Sequence, residues 1–303
     1  MRCTVIVPTY NRAELLSLTL QSLVAQDIDT QDFEVIIVDD GSSDNTQDVV
    51  QMFSNKLQLH YLYQRDEGYR VAKARNAGIK AATSPICILI DSGILLASGC
   101  LRAHCILHDR STEPLAVCGY VYGFNEDNED AEIIRQEIDP HSVDETLSKL
   151  HAARKHLDLR EEFYAKYGDD FNYLPAPWLA YWTCNVSATT QLFKAAGLFD
   201  ENFTTWGAED VELAYRMHRH GCRFVLSREA ASIHYPHEKS YEHNMRDART
   251  SYTYFAKKHG TPITALVVHN HFWVINDIIL RDHLPLCVDY LRERELTEEQ
   301  TSA

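Results

Sequence analysis

The chain has 303 residues, of which 45% are hydrophobic, and it carries 44 acidic against 29 basic side chains, a formal charge of −15 at neutral pH. This composition suits one large folded domain, or a core with an appendage, and is not that of a disordered chain. Because an acidic surface repels phosphate backbones, we expect no nucleic acid among its main partners.

Strand and helix patterns alternate along the first hundred residues. Four short runs rich in β-branched and other apolar residues predict strands, namely TVIVP, FEVIIVDD, LQLHYLYQ and ICILID. Helical patterns separate them, over 13–25, up to 53, and over 70–82. Since apolar strands that alternate with helices form parallel sheets covered on both faces, the sequence predicts an α/β fold with a mostly parallel, Rossmann-like sheet.

The remainder of the chain divides into three parts. Residues 125–172 begin with the acidic run NEDNEDAE, which indicates a solvated loop, and continue as a polar helical stretch. A second globular part covers 173–238, and the pattern after it is helical. We therefore predict a core domain over 1–238, with a first half over 1–100, and a helical C-terminal extension over 239–303.

No segment of the sequence predicts a transmembrane span or a signal peptide. The most lipid-like stretch, 263–280, contains five polar residues, His269, Asn270, His271, Asn276 and Asp277. A spanning helix needs about 20 nearly unbroken apolar residues, so only peripheral membrane contact stays open for this stretch. The eight scattered cysteines, without a Cys-x-x-Cys pair, are typical of reduced core residues, and we expect a cytoplasmic protein.

The turn after the first strand, VPTYNRAE, contains no glycine. A dinucleotide site needs a Gly-x-Gly-x-x-Gly turn at this point, and a Walker phosphate loop is absent too, which argues against NAD or FAD. In α/β sheets, ligands bind beyond the carboxyl ends of the strands, where Thr9, Asp39 and Asp91 fall. Their hydroxyl and carboxylate groups suit a nucleoside with a metal-bound diphosphate.

Five motifs occur in a fixed order, VIVPTYNR, EVIIVDDGSSDNT, GYRVAKARNAGI, ILIDSG and WGAEDVELAYR. Together they resemble an inverting GT-A glycosyltransferase of family 2, of the chondroitin-polymerase-like subgroup, over about residues 3–240. The resemblance implies a GT-A (nucleotide-diphospho-sugar transferase) fold and a catalytic domain over 1–238. Its nucleotide-binding half would be 1–100 and its acceptor-binding half 173–238, with 125–172 as an insertion.

The resemblance also implies a nucleotide-sugar donor, with UDP as the carrier. The implied contacts are Pro8, Thr9, Tyr10, Asp39, Arg70, Asn76, Asp91 and Ser92. Asp39 would accept the uracil N3–H while Thr9 and Tyr10 line the base; the alternative is that Asp39 and Asp40 only cap the following helix. Arg70, Lys73 and Arg75 cannot all share one helix face, and the family contacts favour Arg70 together with Asn76.

A divalent metal ion, Mn²⁺ or Mg²⁺, is the cofactor that the resemblance implies, because ILIDSG stands where the family has Asp-x-Asp. The third position is Gly93, so one carboxylate is missing. Asp91 and His234 are the predicted ligands, with His237 as an alternative to His234. A weakly bound or dispensable metal stays open, as does an ordinary structural role for both histidines.

Glu209 and Asp210 begin the last motif, and the resemblance makes Asp210 the general base and Glu209 the residue that holds acceptor hydroxyls. Trp206 and Trp182 are candidate platforms for the acceptor, which would be a glycan, a small molecule or a peptide. Glu212 is expected to pair with Arg216 at i, i+4. An acidic helix start that only satisfies the dipole is the alternative for Asp210. A binding protein of the same fold with weakened catalysis is the alternative function.

Overall fold

The computed structural model describes residues 1–125 and 128–302, which form an α/β fold around one eight-stranded sheet. The strands are β1 (Cys3–Thr9), β2 (Phe33–Asp39), β3 (Leu59–Tyr63), β4 (Ile86–Ile90), β5 (Ile94–Leu96), β6 (Leu115–Tyr122), β7 (Asn185–Thr189) and β8 (Arg223–His234). The helices of the first hundred residues are α1 (Ala13–Val24), α2 (Thr46–Phe53) and α3 (Val71–Ala81). The later helices are α4 (Cys100–Arg110), α5 (Asn128–Glu137), α6 (Val143–Ala153), α7 (Glu161–Tyr167), α8 (Thr190–Ala195), α9 (Glu209–Arg219), α10 (Tyr241–His259), α11 (Pro262–Leu266), α12 (Phe272–Arg281) and α13 (Cys287–Ser302).

The sheet has the order β3-β2-β1-β4-β7-β6-β8-β5. Its first four strands are parallel, as the sequence predicts, and every residue of β1, β2 and β4 is buried because helices cover both faces. The second half is mixed, since β7 runs antiparallel to β4 and β6, while β6 and β8 are parallel. The predicted parallel order therefore applies to the first half of the sheet, which residues 1–100 supply.

Strand register brings distant segments to one edge of the sheet. Thr9 pairs with Asp39 at the carboxyl ends of β1 and β2. The residue after β4, Asp91, donates its backbone N–H to the carbonyl of Cys184 just before β7, at 3.4 Å. All strand ends that carry the predicted site residues consequently meet here.

The acidic run that begins at residue 125 is not the solvated loop that its composition indicates. Residues 126 and 127 lie outside the described part, but from Asn128 the chain forms α5. Ala131 and Ile134 are buried, one helical turn apart, while the acidic residues around them are exposed. The polar residues hide this narrow apolar face in the sequence, and the face stabilises a helix once a core is available to cover it.

The C-terminal extension packs on the core through the buried carboxylate of Glu212. Glu212 accepts hydrogen bonds from Arg216 on its own helix, which confirms the predicted pair, and from Lys258 and His259 at the end of α10. Burial opposes the charge of Glu212, but these donors more than compensate and lower its pKa to about 2. Lys258 also binds Asp200, so α10 is joined to two separate parts of the core.

Within the two described ranges, no helix combines the length and the apolar character that crossing a bilayer requires. The stretch 263–280 is divided between α11 and α12. All eight cysteines are free, and all except the half-buried Cys184 are buried, as the sequence predicts.

Two histidines of α4 form a buried polar cluster against β7. The ring nitrogens of His104 and His108 both contact the Ser187 hydroxyl at 2.8 Å, and His104 also contacts the side-chain oxygen of Asn185. Burial disfavours the charged imidazolium and lowers the pKa of each ring to about 4. Both rings are therefore neutral at pH 7.

This cluster predicts a loss of stability in mild acid. In the unfolded chain each ring takes up its proton near pH 6.5, whereas the folded protein resists protonation until about pH 4. The contribution is thus fully present above pH 6.5 and is lost as the pH falls towards 4. Between pH 7.5 and 5, urea unfolding of His108→Gln, which keeps a donor for Ser187, should lose about 2 kcal/mol less than the wild type. Equal losses in both proteins would contradict this assignment.

Candidate active site

The first two crossover turns hold each other in place beside the sheet edge. Asn11 adopts a left-handed conformation, with φ 48°, and its side-chain oxygen accepts the backbone N–H of Ser43 at 2.8 Å. Asp44 accepts hydrogen bonds from the backbone N–H groups of both Ala13 and Thr46, so one carboxylate caps the starts of α1 and α2. The turn without glycine is thereby ordered through side chains.

Asp39 is only 1% exposed, and its carboxylate is already bound within the protein. It accepts the backbone N–H groups of Gly41 and Ser42 and, at 2.6 Å, the hydroxyl of Tyr61. These contacts are those of a residue that orders the turn before α2, which agrees better with the capping alternative than with a carboxylate awaiting a base. The neighbouring Thr9 differs, because its hydroxyl is buried without a hydrogen-bond partner.

The remaining predicted nucleotide contacts lie in different surroundings. Tyr10 is 45% exposed and donates its hydroxyl to Asp66 at 3.1 Å. Ser92 donates to the carbonyl of Pro8 at 2.9 Å, which ties the loop after β4 to the end of β1. Arg70 is half-buried, and its guanidinium donates to the carbonyl of Tyr69 in its own loop.

Asn76, another predicted nucleotide contact, is hydrogen-bonded inside the protein. Its amide is buried and bonded on both sides to the backbone of Phe199, with a further bond to Glu201. Asn76 therefore fixes the loop after α8. All of its hydrogen-bonding atoms are used in that role.

Arg75 is the residue that the sequence interpretation missed. Its guanidinium, 3% exposed, donates to Asp91 at 2.9 Å and to Glu209 at 2.8 Å. Arg75 follows the buried Ala72 by three positions and precedes the buried Ile79 by four, so helical periodicity places it on the inner face of α3. This helical periodicity is the feature of the sequence from which the inward position of Arg75 could have been predicted.

A strained turn presents the two carboxylates that begin α9. Gly207 has φ 95° and Ala208 has φ 71°, a left-handed conformation that costs a residue with a Cβ roughly 1–2 kcal/mol. A Cβ at position 207 would approach Ala248 of α10 at 3.4 Å. The turn directs Glu209 inward, where its Oε1 contacts Arg75 while its buried Oε2 has no partner in the described structure.

Asp210 combines burial with an adjacent negative charge. Its oxygens accept the backbone N–H groups of Thr183 at 3.2 Å and Val211 at 2.7 Å. Burial and the charge of Glu209 outweigh these donors and the positive charge of Arg75, and they raise the pKa of Asp210 to about 7. A carboxylate with this pKa can accept a proton at neutral pH with a useful driving force.

His234 lies beside the Asp91 loop because it pairs with Ile94 across β8 and β5, and the next residue, Tyr235, donates to the carbonyl of Gly93. Its Nδ1 is buried without a partner, and its ring stacks on His237 with centroids 5.0 Å apart. Burial and nearby cations lower the pKa of His234, so the imidazole is neutral.

A neutral imidazole with a free nitrogen beside a carboxylate fits a divalent ion. Among the described residues, however, no three His, Cys, Asp or Glu side chains are grouped as a metal site. Asp91 and His234 would therefore supply only part of a coordination shell. The exposed Arg12 lies nearby and interacts electrostatically with Asp91.

Aromatic side chains surround the two carboxylates. Trp206 is 40% exposed immediately before the strained turn, and Trp182 is half-buried immediately before Thr183. Two phenols complete the surroundings, Tyr69, which is 38% exposed, and the half-buried Tyr252, and partial desolvation together with the charges of Glu209 and Asp210 raises the pKa of both. Neither tyrosine was predicted from the sequence: Tyr69 lies in the motif GYRVAKARNAGI but received no role there, and Tyr252 lies in none of the five motifs.

Residues 4–164 match the family described as Glycosyl transferase family 2, and residues 168–244 match the N-terminal domain of galactosyltransferase. The chain belongs to glycosyl transferase family 2. It is 36% identical over 276 residues to validoxylamine A glucosyltransferase of Streptomyces hygroscopicus subsp. jinggangensis (strain 5008), covering 90% of this chain and 64% of that protein. It is 29% identical over 236 residues to chondroitin synthase of Escherichia coli, covering 76% of this chain and 34% of that one. The chain thus spans less than two thirds of the length of these relatives.

Solved structures share the fold at low sequence identity. One is residues 1–349 of S. aureus TarS in complex with UDP-GlcNAc, with TM-score 0.63, 19% identity, and coverage of 88% of this chain and 70% of that one. Another is the mannosyltransferase PcManGT from Pyrobaculum calidifontis in complex with GDP-Man and Mn²⁺, with TM-score 0.61, 20% identity, and coverage of 97% and 80%. The predicted family and the predicted GT-A fold are confirmed.

The bridging position of Arg75 makes a prediction about the two carboxylates of α9. In Arg75→Met the Glu209–Asp210 pair loses its positive neighbour, so it should take up its first proton at a pH roughly 1 unit or more above the wild-type value. Carbon-13 NMR of the carboxyl groups measures this midpoint, with Glu209→Gln and Asp210→Asn for assignment. Arg70→Met, which removes a guanidinium that does not contact the pair, is the control and should leave the midpoint unchanged.

An unchanged midpoint in Arg75→Met would contradict the electrostatic role of the bridge. If this variant does not fold, Arg75→Lys retains the charge without the two-ended geometry. The midpoint of Arg75→Lys should then lie above that of the wild type, because one ammonium cannot serve both carboxylates.

Proposed function

We propose that this member of family 2 transfers a sugar from a nucleotide sugar, with UDP as the carrier, to an acceptor hydroxyl with inversion of configuration. The observation that carries the proposal is Asp210, because burial and the neighbouring Glu209, which is bonded to Arg75, raise the pKa of Asp210 to about 7. The similarity to a glucosyltransferase and the fold shared with a UDP-GlcNAc complex support the donor class.

Asp210 serves as the general base in this proposal. Inverting transfer needs a proton removed from the acceptor hydroxyl while its oxygen attacks the anomeric carbon opposite the leaving diphosphate. Asp210 accepts that proton, and the backbone N–H of Thr183 keeps the carboxylate oriented. Glu209 accepts a second acceptor hydroxyl at its partner-free Oε2, while Arg75 fixes its other oxygen.

Asp91 and His234 are proposed to hold a divalent ion, Mn²⁺ or Mg²⁺, which supplies positive charge to the leaving diphosphate. His237, stacked on His234, is the alternative ligand. Arg75 already binds Oδ1 of Asp91, so the second carboxylate oxygen is the one proposed for the ion. With Gly93 in place of a second carboxylate, donor oxygens would make up much of the remaining shell.

The uracil is proposed to lie against Thr9 and Tyr10. The buried hydroxyl of Thr9 has no partner, and the exposed ring of Tyr10 offers a stacking face. Asp39 is also proposed to lie at the uracil, behind Thr9 and Tyr10. It keeps its hydrogen bonds to the backbone of the turn before α2. Pro8, Ser92 and Arg70 complete the proposed donor contacts.

A sugar-binding protein of the same fold is the second candidate, and Gly93 is the feature that favours it. A pure binding protein has no use for a carboxylate whose pKa is raised into the neutral range. The two candidates consequently differ in the effect of removing the Asp210 charge.

Asp210→Asn should reduce turnover by about 10²–10⁴-fold, because an amide cannot accept the acceptor proton. Affinity for UDP should change little, since Asp210 contacts Thr183 and Val211 and not the donor edge. Steady-state kinetics with a panel of nucleotide sugars, together with calorimetry for UDP, measures both effects.

Asp48→Asn is the matched control for a helix-dipole role, because Asp48 is an exposed carboxylate in the first turn of α2. It should leave turnover unchanged. An Asp210→Asn variant that retains a tenth or more of wild-type turnover would remove Asp210 as the base and favour the binding protein.

The incomplete protein shell predicts that metal and nucleotide bind together. Calorimetry should find weak Mn²⁺ binding without UDP and tighter binding with UDP. His234→Ala should abolish this increase, whereas His237→Ala should retain it if His234 is the ligand. Tight Mn²⁺ binding without UDP that is unaffected by His234→Ala would contradict the arrangement.

A further inference from the structure

The C-terminal extension reaches the carboxylates of α9 through a chain of aromatic contacts. Thr183, which binds Asp210, follows Trp182 directly. The ring of Trp182 stacks on Trp273 of α12, with centroids 5.7 Å apart and planes at 27°, and it meets the edge of Phe272 at 6.0 Å. Residues of the extension therefore form one side of this site.

A second helix of the extension, α10, continues this chain of contacts. Phe272 contacts Tyr252 of α10 edge-on at 5.3 Å. The adjacent Ser251 contacts the hydroxyl of Thr205 at 3.0 Å and donates to the carbonyl of Trp206 at 3.4 Å, on the loop that leads into the strained turn. We name Trp182, Tyr252, Phe272 and Trp273 the aromatic wall.

Two polar groups at the aromatic wall lack partners. The hydroxyl of Tyr252 makes no hydrogen bond within the described structure, although burial and the charges of Asp210 and Glu209 act on it. Oε2 of Glu209 is buried and equally without a partner. The first group can donate a hydrogen bond and the second can accept one, so a ligand that carries hydroxyl groups, each both donor and acceptor, suits them.

The charged residues beside the aromatic wall favour one kind of ligand over another. Glu209 and Asp210 are both acidic, and Arg75 is the one cation bonded to the pair among the described residues, where it is shared with Asp91. A carboxylate or sulfate on the ligand would meet like charge here, whereas hydroxyl groups or an amine would not.

We propose that the aromatic wall is the acceptor subsite and that Tyr252 positions the acceptor by donating to one of its hydroxyls. The acceptor class is a polyhydroxylated six-membered ring, uncharged or amine-bearing, whose apolar face packs on the aromatic wall. This inference rests on the proposed function and extends it, because it makes α10 and α12 part of the active site.

Tryptophan fluorescence provides a direct test, because Trp182, Trp206 and Trp273 surround the subsite while Trp178 is fully buried. The full chain, with UDP and Mn²⁺ present, is titrated with methyl β-D-glucopyranoside, methyl 2-amino-2-deoxy-β-D-glucopyranoside and methyl β-D-glucuronide. The first two should give saturable changes. The glucuronide should bind at least tenfold more weakly.

Tyr252→Phe should raise the Kd of the two binding glycosides about tenfold, as expected for one lost hydrogen bond. UDP affinity and Tm should stay at wild-type values, which a merely structural role would not allow. Tyr254→Phe is the matched control on the same helix, since that hydroxyl binds Asp200 instead. It should leave the glycoside Kd unchanged.

An unchanged glycoside Kd in Tyr252→Phe, a glucuronide that binds as tightly as the glucoside, or no saturable change with any of the three would overturn the inference. UDP affinity measured in the same samples separates this failure from failure of the proposed function. If UDP binds and donor hydrolysis occurs, only the acceptor subsite is wrong; if UDP does not bind, the proposed function itself fails.

Discussion

The double contact of Arg75 is the interaction on which the rest of the site depends. It joins α3, the loop after β4 and the start of α9, three elements that are far apart in the sequence. Without this cation, Asp91 and Glu209 would bring like charges together in a chain whose net charge is already −15. One buried guanidinium thus makes a concentrated acidic site compatible with a stable fold.

The same contact gives two neighbouring carboxylates different environments. Glu209 is bonded to Arg75, whereas Asp210 is held only by backbone N–H groups and is affected by the charge of Glu209. Their environments differ although their positions are adjacent, and differences of this kind allow one carboxylate to remain ionised while the other exchanges a proton near neutral pH.

The C-terminal extension is tied to this site by contacts at the end and in the middle of α10. Near the end of the helix, Lys258 and His259 bind Glu212, which lies three residues after Glu209 on α9. In its middle, Ser251 and Ala248 pack against the turn that precedes Glu209. The helix that carries Tyr252 is therefore fixed to the helix that carries the carboxylates.

The sequence by itself determined the elements of the first ninety residues, the family, and the Glu209–Asp210 pair, because apolar periodicity and ordered motifs are local properties of the chain. The tertiary structure decided which groups the individual side chains bind. Arg75 and Asn76 are adjacent, yet the rotation of α3 turns one to the carboxylates and the other to the Phe199 backbone. Likewise, Asp39 binds its own turn, and an acidic run predicted as a loop continues as α5 from Asn128. Such outcomes depend on strand register, helix rotation and the surfaces available for packing, which exist only when the whole chain is folded.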